Sequence, residues 1–410
     1  VATVTSLELA AAAGIGLVAV LALALISLEA AAALGFALLG VVLFEPAPTD
    51  LVFFVVIAVA LVTGRFDIRR VPAAVVGIIG TFLALNLVSA VEVVDVERAL
   101  TFFATTLYVA VFGLWVAGWV ASRRRARIAA GGYLVAAVVA ASLGLLALFL
   151  PVPGRDLIVA EGRVVALFKD PNVFGAFVIP AALILVEETL RPRLFHLRRV
   201  LKGLLLLVLA LGVLFSYSRG AWANLAVGLA MLLLVLALRR GGGRKVVLAL
   251  MLVLVAGVLV AGAVSVSGSG DFLAERARVQ SYDADRLGAW LAGLEPAQRY
   301  PFGVGPGQFE ALASISAHST YVRVLAEQGL PGLIAFSALM IFTLGAALGN
   351  AVAGRDTYGI GSAALLAAWC GLMVNSFVID TLHWRHLWVV AALIWAGWAR
   401  RRAAVEPRRA

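Results

Sequence analysis

A histidine at the end of the longest polar stretch of the chain has the setting of a general base. From His318 the sequence reads His-Ser, nine residues, Gly, two residues and Gly, and Arg323 and Glu327 have the spacing of a helical ion pair. These spacings predict a short amphipathic helix on the outer membrane surface that stops at Gly329. The positive end of a helix favours neutral imidazole, which can take a proton from a hydroxyl group. The alternative is a histidine that only forms hydrogen bonds at the interface.

Arg219 lies in a short turn between two apolar segments and is the second candidate for chemistry. The turn reads Ser-Tyr-Ser-Arg-Gly-Ala-Trp over residues 216–222, with Tyr217 close to the arginine. A guanidinium group donates two parallel hydrogen bonds to phosphate. Arg219 is therefore a candidate for holding a phosphate-bearing substrate, with Tyr217 as a further substrate contact. The alternative is an arginine that reaches lipid headgroups beside Trp222.

The polar loop of residues 265–330 carries further cations and a glycine-rich turn. We expect it to fold as a cap over a cavity, with the leucines around Trp290 packed onto the membrane helices. Backbone N–H groups of the turn Pro-Phe-Gly-Val-Gly-Pro-Gly at 301–307 can approach an anion, although a plain turn also accounts for these glycines. The loop arginines that are candidates for binding substrate are Arg276, Arg278, Arg286 and Arg299.

Lys169 and Asn172 form a third group of candidates, in the sequence Phe-Lys-Asp-Pro-Asn at 168–172. Lys169 would add a cation to the cavity under the loop, and Asn172 a hydrogen-bonding amide. The alternative is that the proline and the asparagine only start the next helix.

Asp380, His383 and His386 lie together just before the last apolar segment. Asp380 is a candidate for contacting substrate, and the two histidines together with His318 have the ligand types of a metal site. Histidine at a membrane interface more often serves as an anchor, so we predict no metal. His196 lies in a basic connection on the other side and is not a candidate.

These groups must be positioned by helices in a membrane. Hydrophobic residues make up 63% of the chain and the mean hydropathy is +1.04, whereas soluble domains contain about 45–50% apolar residues. The first apolar run lacks a basic leader and a small-residue cleavage site, so we expect no cleaved signal peptide. The sequence predicts an all-α polytopic bundle of twelve or thirteen transmembrane helices, a single domain over residues 1–410. The predicted segments are 9–27, 29–44, 51–63, 72–90, 100–121, 131–150, 172–190, 201–216, 221–238, 246–264, 331–349, 360–379 and 384–399. Glu29 interrupts the first two, which form either a tight hairpin or one segment and a surface stretch.

The distribution of charge orients these helices. The connections between the predicted helices fall alternately on two sides of the membrane. One side, together with the tail, holds 22 of the 33 basic residues, and the other side holds 11 basic residues and 16 carboxylates. Short cytoplasmic loops retain basic residues, so the connections on the first side and the C-terminus are predicted to be cytoplasmic and the loop 265–330 to face outwards. The net charge of +10 therefore reflects topology and predicts no nucleic-acid partner. Cys370 is the single cysteine and excludes an internal disulfide.

In combination these motifs resemble the O-antigen ligase and polymerase superfamily. The resemblance rests on the His-Ser arrangement at His318, the turn at 301–307, Ser-Arg-Gly at 218–220 and Asp-Pro-Asn at 170–172. It implies a bacterial inner-membrane glycosyltransferase of the GT-C type whose loop 265–330 and active site face the periplasm. Such enzymes take a glycan from undecaprenyl diphosphate without a metal, a nucleotide sugar or another cofactor.

Carried onto this sequence, the resemblance makes His318 the residue that activates the acceptor hydroxyl and Arg219 a partner of the donor diphosphate. Arg286 is our choice for a second diphosphate partner. Because undecaprenyl diphosphate is a good leaving group, alignment and charge stabilisation by arginines can replace a metal. The alternatives to Arg286 are Arg276, Arg278 and Arg299.

The ligase branch passes the glycan to a sugar hydroxyl of the lipid A core, with inversion, and the His-Ser form favours it. Polymerases typically carry Arg-x9-Gly or Arg-x10-Gly, and from Arg219 these spacings lead to Leu229 and Ala230. The predicted partners are therefore the undecaprenyl-diphosphate-linked donor, the lipid A-core acceptor and membrane lipids. The alternatives are a polymerase, a protein O-oligosaccharyltransferase and a transporter of lipid-linked glycans. A transporter should show internal symmetry, whereas here the candidate groups gather at one face.

Overall fold

Helices form nearly all of the protein. The computed structural model describes residues 6–239, 243–268, 270–278, 282–313 and 316–403. Within these ranges the strands are limited to one antiparallel ribbon, β1 (Val159–Ala160) and β2 (Arg163–Val164). The all-α prediction is confirmed. The helices are α1 (Ser6–Ile26), α2 (Leu28–Ala37), α3 (Pro48–Val62), α4 (Ala73–Ser89), α5 (Val96–Trp119), α6 (Arg123–Phe149), α7 (Arg155–Ile158), α8 (Pro171–Leu190), α9 (Arg199–Phe215), α10 (Arg219–Leu238), α11 (Gly243–Ser267), α12 (Gly270–Ala277), α13 (Tyr282–Arg299), α14 (Phe309–Leu312), α15 (Thr320–Val352), α16 (Ser362–Val378) and α17 (Arg385–Ala403).

Several of these helices are long and apolar enough to cross a membrane. Among the described residues six meet both conditions, namely α4 with the turn that follows it, α5, α6, α8, α10 and α15. The other predicted apolar segments also coincide with helices, some of them shorter, such as α3 with 15 residues and α16 with 17. The chain is a multi-pass membrane protein.

The first apolar stretch forms two packed helices. Ser27 separates them, and its hydroxyl oxygen accepts the N–H of Ala30 at 3.2 Å, which starts α2. Although α2 has only ten residues, it is packed against both α3 and α6. Glu29 pairs with Arg124 at 2.9 Å and with Arg125 at 3.1 Å. The alternative of a surface stretch is therefore wrong, because one face of α2 is buried between two helices.

The basic connections lie at one end of the bundle. Arg400 of α17 pairs at 3.0 Å with Asp356, which lies between α15 and α16. Glu187 near the end of α8 is 1% exposed and pairs at 3.4 Å with Arg239, which follows α10. Ion pairs of this kind tie the connections to one another. Since α10 starts at Arg219 and ends before Arg239, the candidate arginine lies at the opposite end.

Helix α15 is interrupted at the glycines that follow His318. Gly329 has φ 66° and ψ −171°, a conformation that only glycine adopts readily, so the first part of α15 ends there as predicted. A Cβ on Gly329 would collide with the Pro301 carbonyl oxygen, and a Cβ on Gly332 would overlap the Gln328 side chain. The two glycines thus permit a change of direction and a close approach of the loop. They orient the segment that begins at His318.

We expect Gly329→Ala to lower the melting temperature of the purified protein. Alanine would have to adopt the same left-handed conformation, and its methyl group would meet the Pro301 carbonyl, which we expect to cost about 2 kcal/mol or more. Thermal unfolding in detergent, followed by tryptophan fluorescence, measures this loss. Gly345→Ala, elsewhere on α15 with open space around the glycine, is the matched control and should not lower it. Equal melting temperatures for Gly329→Ala and wild type would contradict the interpretation.

Candidate functional site

The end of α16 contacts both the arginine motif and the histidine motif. Helix α10, which begins at Arg219, lies close to the end of α16. A Cβ on Gly220 would be only 3.4 Å from the side chain of Val378, the last residue of α16. The hydroxyl of Ser319 donates to the carbonyl oxygen of Ser376 at 3.4 Å. One short stretch of α16 therefore holds together two motifs that are far apart in the sequence.

Arg219 occupies the first position of α10. Ser218 caps this helix, its hydroxyl oxygen accepting the N–H of Ala221 at 3.2 Å. The Arg219 guanidinium is partly exposed, and its Nη1 donates to the main-chain oxygen of Arg278 at 3.1 Å. A cation at a helix N-terminus is unfavourable by itself, but the arginine and the helix N–H groups together suit a bound anion. The structure thus brings Arg278, through its main chain, next to Arg219.

The Asp-Pro-Asn motif lies beside the same turn. The side-chain oxygen of Asn172 accepts a hydrogen bond from Arg163 at 3.3 Å. The Nε of Arg163 donates to the Ser216 carbonyl oxygen at 3.0 Å, so the β1–β2 ribbon links the two motifs. Gly175 permits this approach, because a Cβ there would lie 2.6 Å from the Ser216 hydroxyl. The sequence prediction missed Arg163, which is one of three cations in the connection 151–170 and belongs to none of the motifs.

Tyr217 fastens the loop to the bundle. Its ring is 4% exposed and meets the Phe272 ring of α12 edge to face, with centroids 4.6 Å apart. A second contact, to Phe215, has centroids 6.0 Å apart. The side chain is thus used in packing, and the prediction that it contacts substrate gains no support.

His318 precedes α15 directly. Ser319 caps the helix, accepting the N–H of Val322 at 3.4 Å, so the histidine lies one residue before the cap and not within the helix. The His318 backbone has φ 46°, which is uncommon for a residue other than glycine. Such conformations persist where surrounding structure enforces them, and they cluster at functional sites. The side chain is partly exposed at the same end of the bundle as Arg219.

The helix that follows His318 is buried. Arg323 is 5% exposed, and its Nη1 lies 2.9 Å from Glu327 Oε1. Its Nε lies 2.7 Å from Asp380 Oδ2, and it also pairs with Glu310. The predicted ion pair of Arg323 and Glu327 is confirmed, but the prediction of a surface helix is wrong, because both residues of this pair are buried in the protein. Asp380, a candidate for contacting substrate, is largely engaged by this arginine.

We expect Arg323→Met to destabilise the protein by about 3–5 kcal/mol, because it leaves several carboxylates without their counter-ion in a buried place. Melting temperature and the yield of monodisperse protein in detergent measure the effect. Adding Glu327→Gln and Asp380→Asn should restore part of the stability, since the uncompensated charges are removed. An Arg323→Met variant with a normal melting temperature and no activity would instead make Arg323 a site residue.

The glycine-rich turn docks the loop onto this buried helix. The N–H of Val304 donates to the carbonyl oxygen of Ala326 at 3.1 Å, and that of Gly305 to the carbonyl oxygen of Glu327 at 3.0 Å. These two N–H groups are therefore not available to an anion. The hypothesis of an anion cradle is wrong at these positions, and the plain turn accounts for the glycines.

Helix α13 approaches α15 through a small residue. A Cβ on Gly293 would lie 2.9 Å from the Phe309 ring, which packs under the first part of α15. Leu287 and Leu291 are 56% and 60% exposed. The prediction that these leucines pack onto the bundle is therefore wrong. Helix α13 contacts α15 through the face that carries Gly293, which permits the closer approach.

The remaining loop arginines differ in position. Arg299 is at the exposed end of α13 and pairs with Glu295 at 2.8 Å, so it is not brought to Arg219. Arg276 in α12 and Arg286 in α13 have side chains outside the described residues. The choice of Arg286 as a diphosphate partner stays a prediction.

The two histidines near α17 have separate surroundings. His383 Nε2 lies 2.9 Å from the Thr106 hydroxyl, and burial lowers the His383 pKa to about 4. The His386 ring stacks on Trp384 with centroids 4.9 Å apart. Over the described part of the chain, no group of three or more histidines, cysteines or carboxylates is placed to hold a metal ion.

An apolar groove of 380 Å³ lies along α10, and its lining on this helix begins at Trp222, one turn after Arg219. Helices α8, α9, α10 and α11 form it, and α10 contributes Trp222, Ala226 and Leu229. These residues follow Arg219 at i+3, i+7 and i+10, so all four lie on one face of α10. The cationic start of α10 thus lies one helical turn from the apolar groove, on the face of the helix that lines it.

The fold and the site define a multi-pass α-helical membrane protein with a cationic site at the end of the bundle opposite its basic connections. Residues 204–337 match the family model described as O-antigen ligase. The match contains Arg219, the polar loop, His318 and both glycines of the break in α15, and it confirms the resemblance to the O-antigen ligase and polymerase superfamily. It supports a ligase-type or related polymerase function. A search of curated proteins finds no significant match.

Proposed function

We propose that this protein transfers a glycan from undecaprenyl diphosphate to a sugar hydroxyl of a lipid A-core acceptor at the periplasmic face of the bacterial inner membrane. The observation that carries the proposal is the position of Arg219 one helical turn before Trp222, on the face of α10 that lines the apolar groove of 380 Å³. A lipid diphosphate needs both elements, an apolar path for its chain and cations for its head.

Arg219 would bind the diphosphate together with the N–H groups at the start of α10. The loop reaches the guanidinium through the main chain of Arg278, at 3.1 Å, and can therefore close over the sugar next to the diphosphate. As the glycosidic bond breaks, negative charge grows on the leaving diphosphate, and fixed cations and dipoles stabilise that charge.

His318 would take the proton from the acceptor hydroxyl. The acceptor oxygen then attacks the anomeric carbon from the face opposite the diphosphate, which departs with the bonding electron pair, so the configuration inverts. The residue is held one position before a capped helix, and the break at Gly329 fixes the direction of that helix. Such positioning of the reacting groups contributes much of the rate in a reaction with a good leaving group.

The charge pattern supports the orientation of the site. The basic connections lie at the other end of the bundle, which corresponds to the cytoplasmic side under the positive-inside rule. The proposed site then faces the periplasm, and the C-terminal helix, which carries Arg400, ends in the cytoplasm.

The test is transfer by purified protein from an undecaprenyl-diphosphate-linked glycan to a lipid A-core acceptor, with and without a chelator. We expect glycosylated acceptor and free undecaprenyl diphosphate in equal amounts, unaffected by the chelator. Lengthening of the donor glycan would identify a polymerase, and transfer to a protein would identify a protein O-oligosaccharyltransferase. Movement of intact donor across liposomes without any transfer would overturn the proposal.

A further inference from the structure

Two adjoining cavities lie beside the connection from α16 to α17. The first, of 230 Å³, is enclosed by the connection from α2 to α3, the start of α8 and the start of α17. The second, of 420 Å³, continues along the start of α5. The residues common to both linings are Glu45, His383 and Arg385. The diphosphate site proposed above uses neither cavity.

The charges that line the first cavity are balanced. Lys169 pairs with Glu45 at 3.5 Å, and the Arg385 Nε lies 2.6 Å from Asp50 Oδ1. Asp380 is engaged by the buried arginine of α15, as described above. A site built for phosphate would present excess positive charge, as the Arg219 site does. The cavity is therefore suited to an uncharged ligand.

The wall of the first cavity also offers a hydrogen-bonding group and aromatic surface. His386 is 3% exposed, lines this cavity, and its Nε2 has no hydrogen-bond partner. A buried polar atom without a partner costs about 1–3 kcal/mol, and a ligand hydroxyl group that meets Nε2 after a small rotation of the His386 ring into the cavity would offset this cost. Trp384 lines the same cavity and stacks on His386. Hydroxyl groups and an apolar ring face are what a sugar presents to such a wall.

We propose that the two cavities bind a neutral oligosaccharide portion of the acceptor, next to the sugar that receives the glycan. This assignment rests on the proposed function. The Thr320 hydroxyl donates to Asp380 Oδ1 at 3.2 Å, so the first cavity adjoins the segment that begins with His318. Arg219 lies instead against the α10 side of α16. The two cavities together accommodate more than one sugar residue.

The first experiment measures binding without any donor, by saturation-transfer NMR on purified wild type with neutral di- to pentasaccharides of hexoses and with the same sugars carrying a phosphate. We expect signals from the neutral sugars. Val173→Phe should remove these signals, because Val173 lines the first cavity and a larger side chain fills it. Thr101→Trp, at an exposed position in the second cavity, is a variant that leaves the core intact and should remove the signals of the longer sugars. Unchanged signals in both variants, or a preference for the phosphorylated sugars, would overturn the proposal.

The second experiment separates acceptor from donor. In the transfer assay, Val173→Phe should raise the KM for acceptor at least tenfold and leave the KM for donor and kcat within about twofold. Val135→Phe, on an outward-facing position of α6 that is 52% exposed, is the matched control. A rise in donor KM alone would assign the cavity to the donor glycan and overturn the acceptor assignment. If the wild type showed no transferase activity but bound sugars, and Val173→Phe removed that binding, the sugar site would stand and only the proposed function would be rejected.

Discussion

His318→Ala should reduce glycan transfer at least about a hundredfold, while membrane insertion, yield and melting temperature stay at wild-type values. A positioned general base contributes typically about 10²–10⁴ in rate, and alanine cannot take the hydroxyl proton. Because the imidazole lies outside α15, its removal leaves the Ser319 cap and the ion pairs of Arg323 in place. The loss should therefore appear in kcat, with a smaller change in the KM for donor.

His196→Ala is the matched control for this measurement, because His196 is exposed at the basic end of the bundle. It should retain full activity. If His318→Ala transferred glycan at the wild-type rate, His318 would not be the base. If His318→Ala lost activity and also had a lower melting temperature, the histidine would serve to hold the loop. Another residue would then have to be the base.

The membrane helices could be predicted from composition because lipid imposes a simple rule on them. Segments must be apolar and long, and the basic residues between them mark one side. The break at Gly329 could also be predicted, since a glycine followed two residues later by a proline is a typical signal for the end of a helix. In these cases the local sequence alone decides the structure.

The helix after His318 shows where local pattern fails. Arg323 and Glu327 have a spacing that fits a surface helix and a buried one equally well, and the choice depends on Glu310 and Asp380, which are distant in the sequence. The same holds for α13, whose leucines face outwards because Gly293 allows the closer contact. Polar clusters between helices are tertiary features and leave no periodic signal.

The motif residues divide into two kinds once their surroundings are known. Gly329 and Gly332 are required by backbone conformation and close packing, so they orient the segment of His318 and need not touch a substrate. Arg219 is different, because its position at the start of α10 opposes the helix dipole and gains no stability from it. A residue placed against local electrostatics is the stronger candidate for function.

Arg219→Ala should therefore lower kcat/KM for the donor by about a hundredfold to a thousandfold, without loss of thermal stability. Alanine removes the charge that stabilises the leaving diphosphate. It loses the exposed hydrogen bond to the Arg278 carbonyl but relieves the unfavourable cation at the helix start, so the melting temperature should change little. Arg219→Lys should recover only part of the activity, because an ammonium group keeps the charge but cannot donate two parallel hydrogen bonds. Initial rates at varied donor concentration, and protection of the melting temperature by added undecaprenyl diphosphate, measure the two effects.

Arg299→Ala is the matched control, since Arg299 also lies at the outer end but pairs with Glu295 in solvent. It should retain both activity and protection by undecaprenyl diphosphate. If Arg219→Ala kept that protection and Arg299→Ala lost it, the diphosphate would bind at the far end of α13, and the groove beneath Arg219 would be a packing feature. Loss of protection in Arg219→Ala alone would instead place the diphosphate at the start of α10, because only the arginine there distinguishes the two variants.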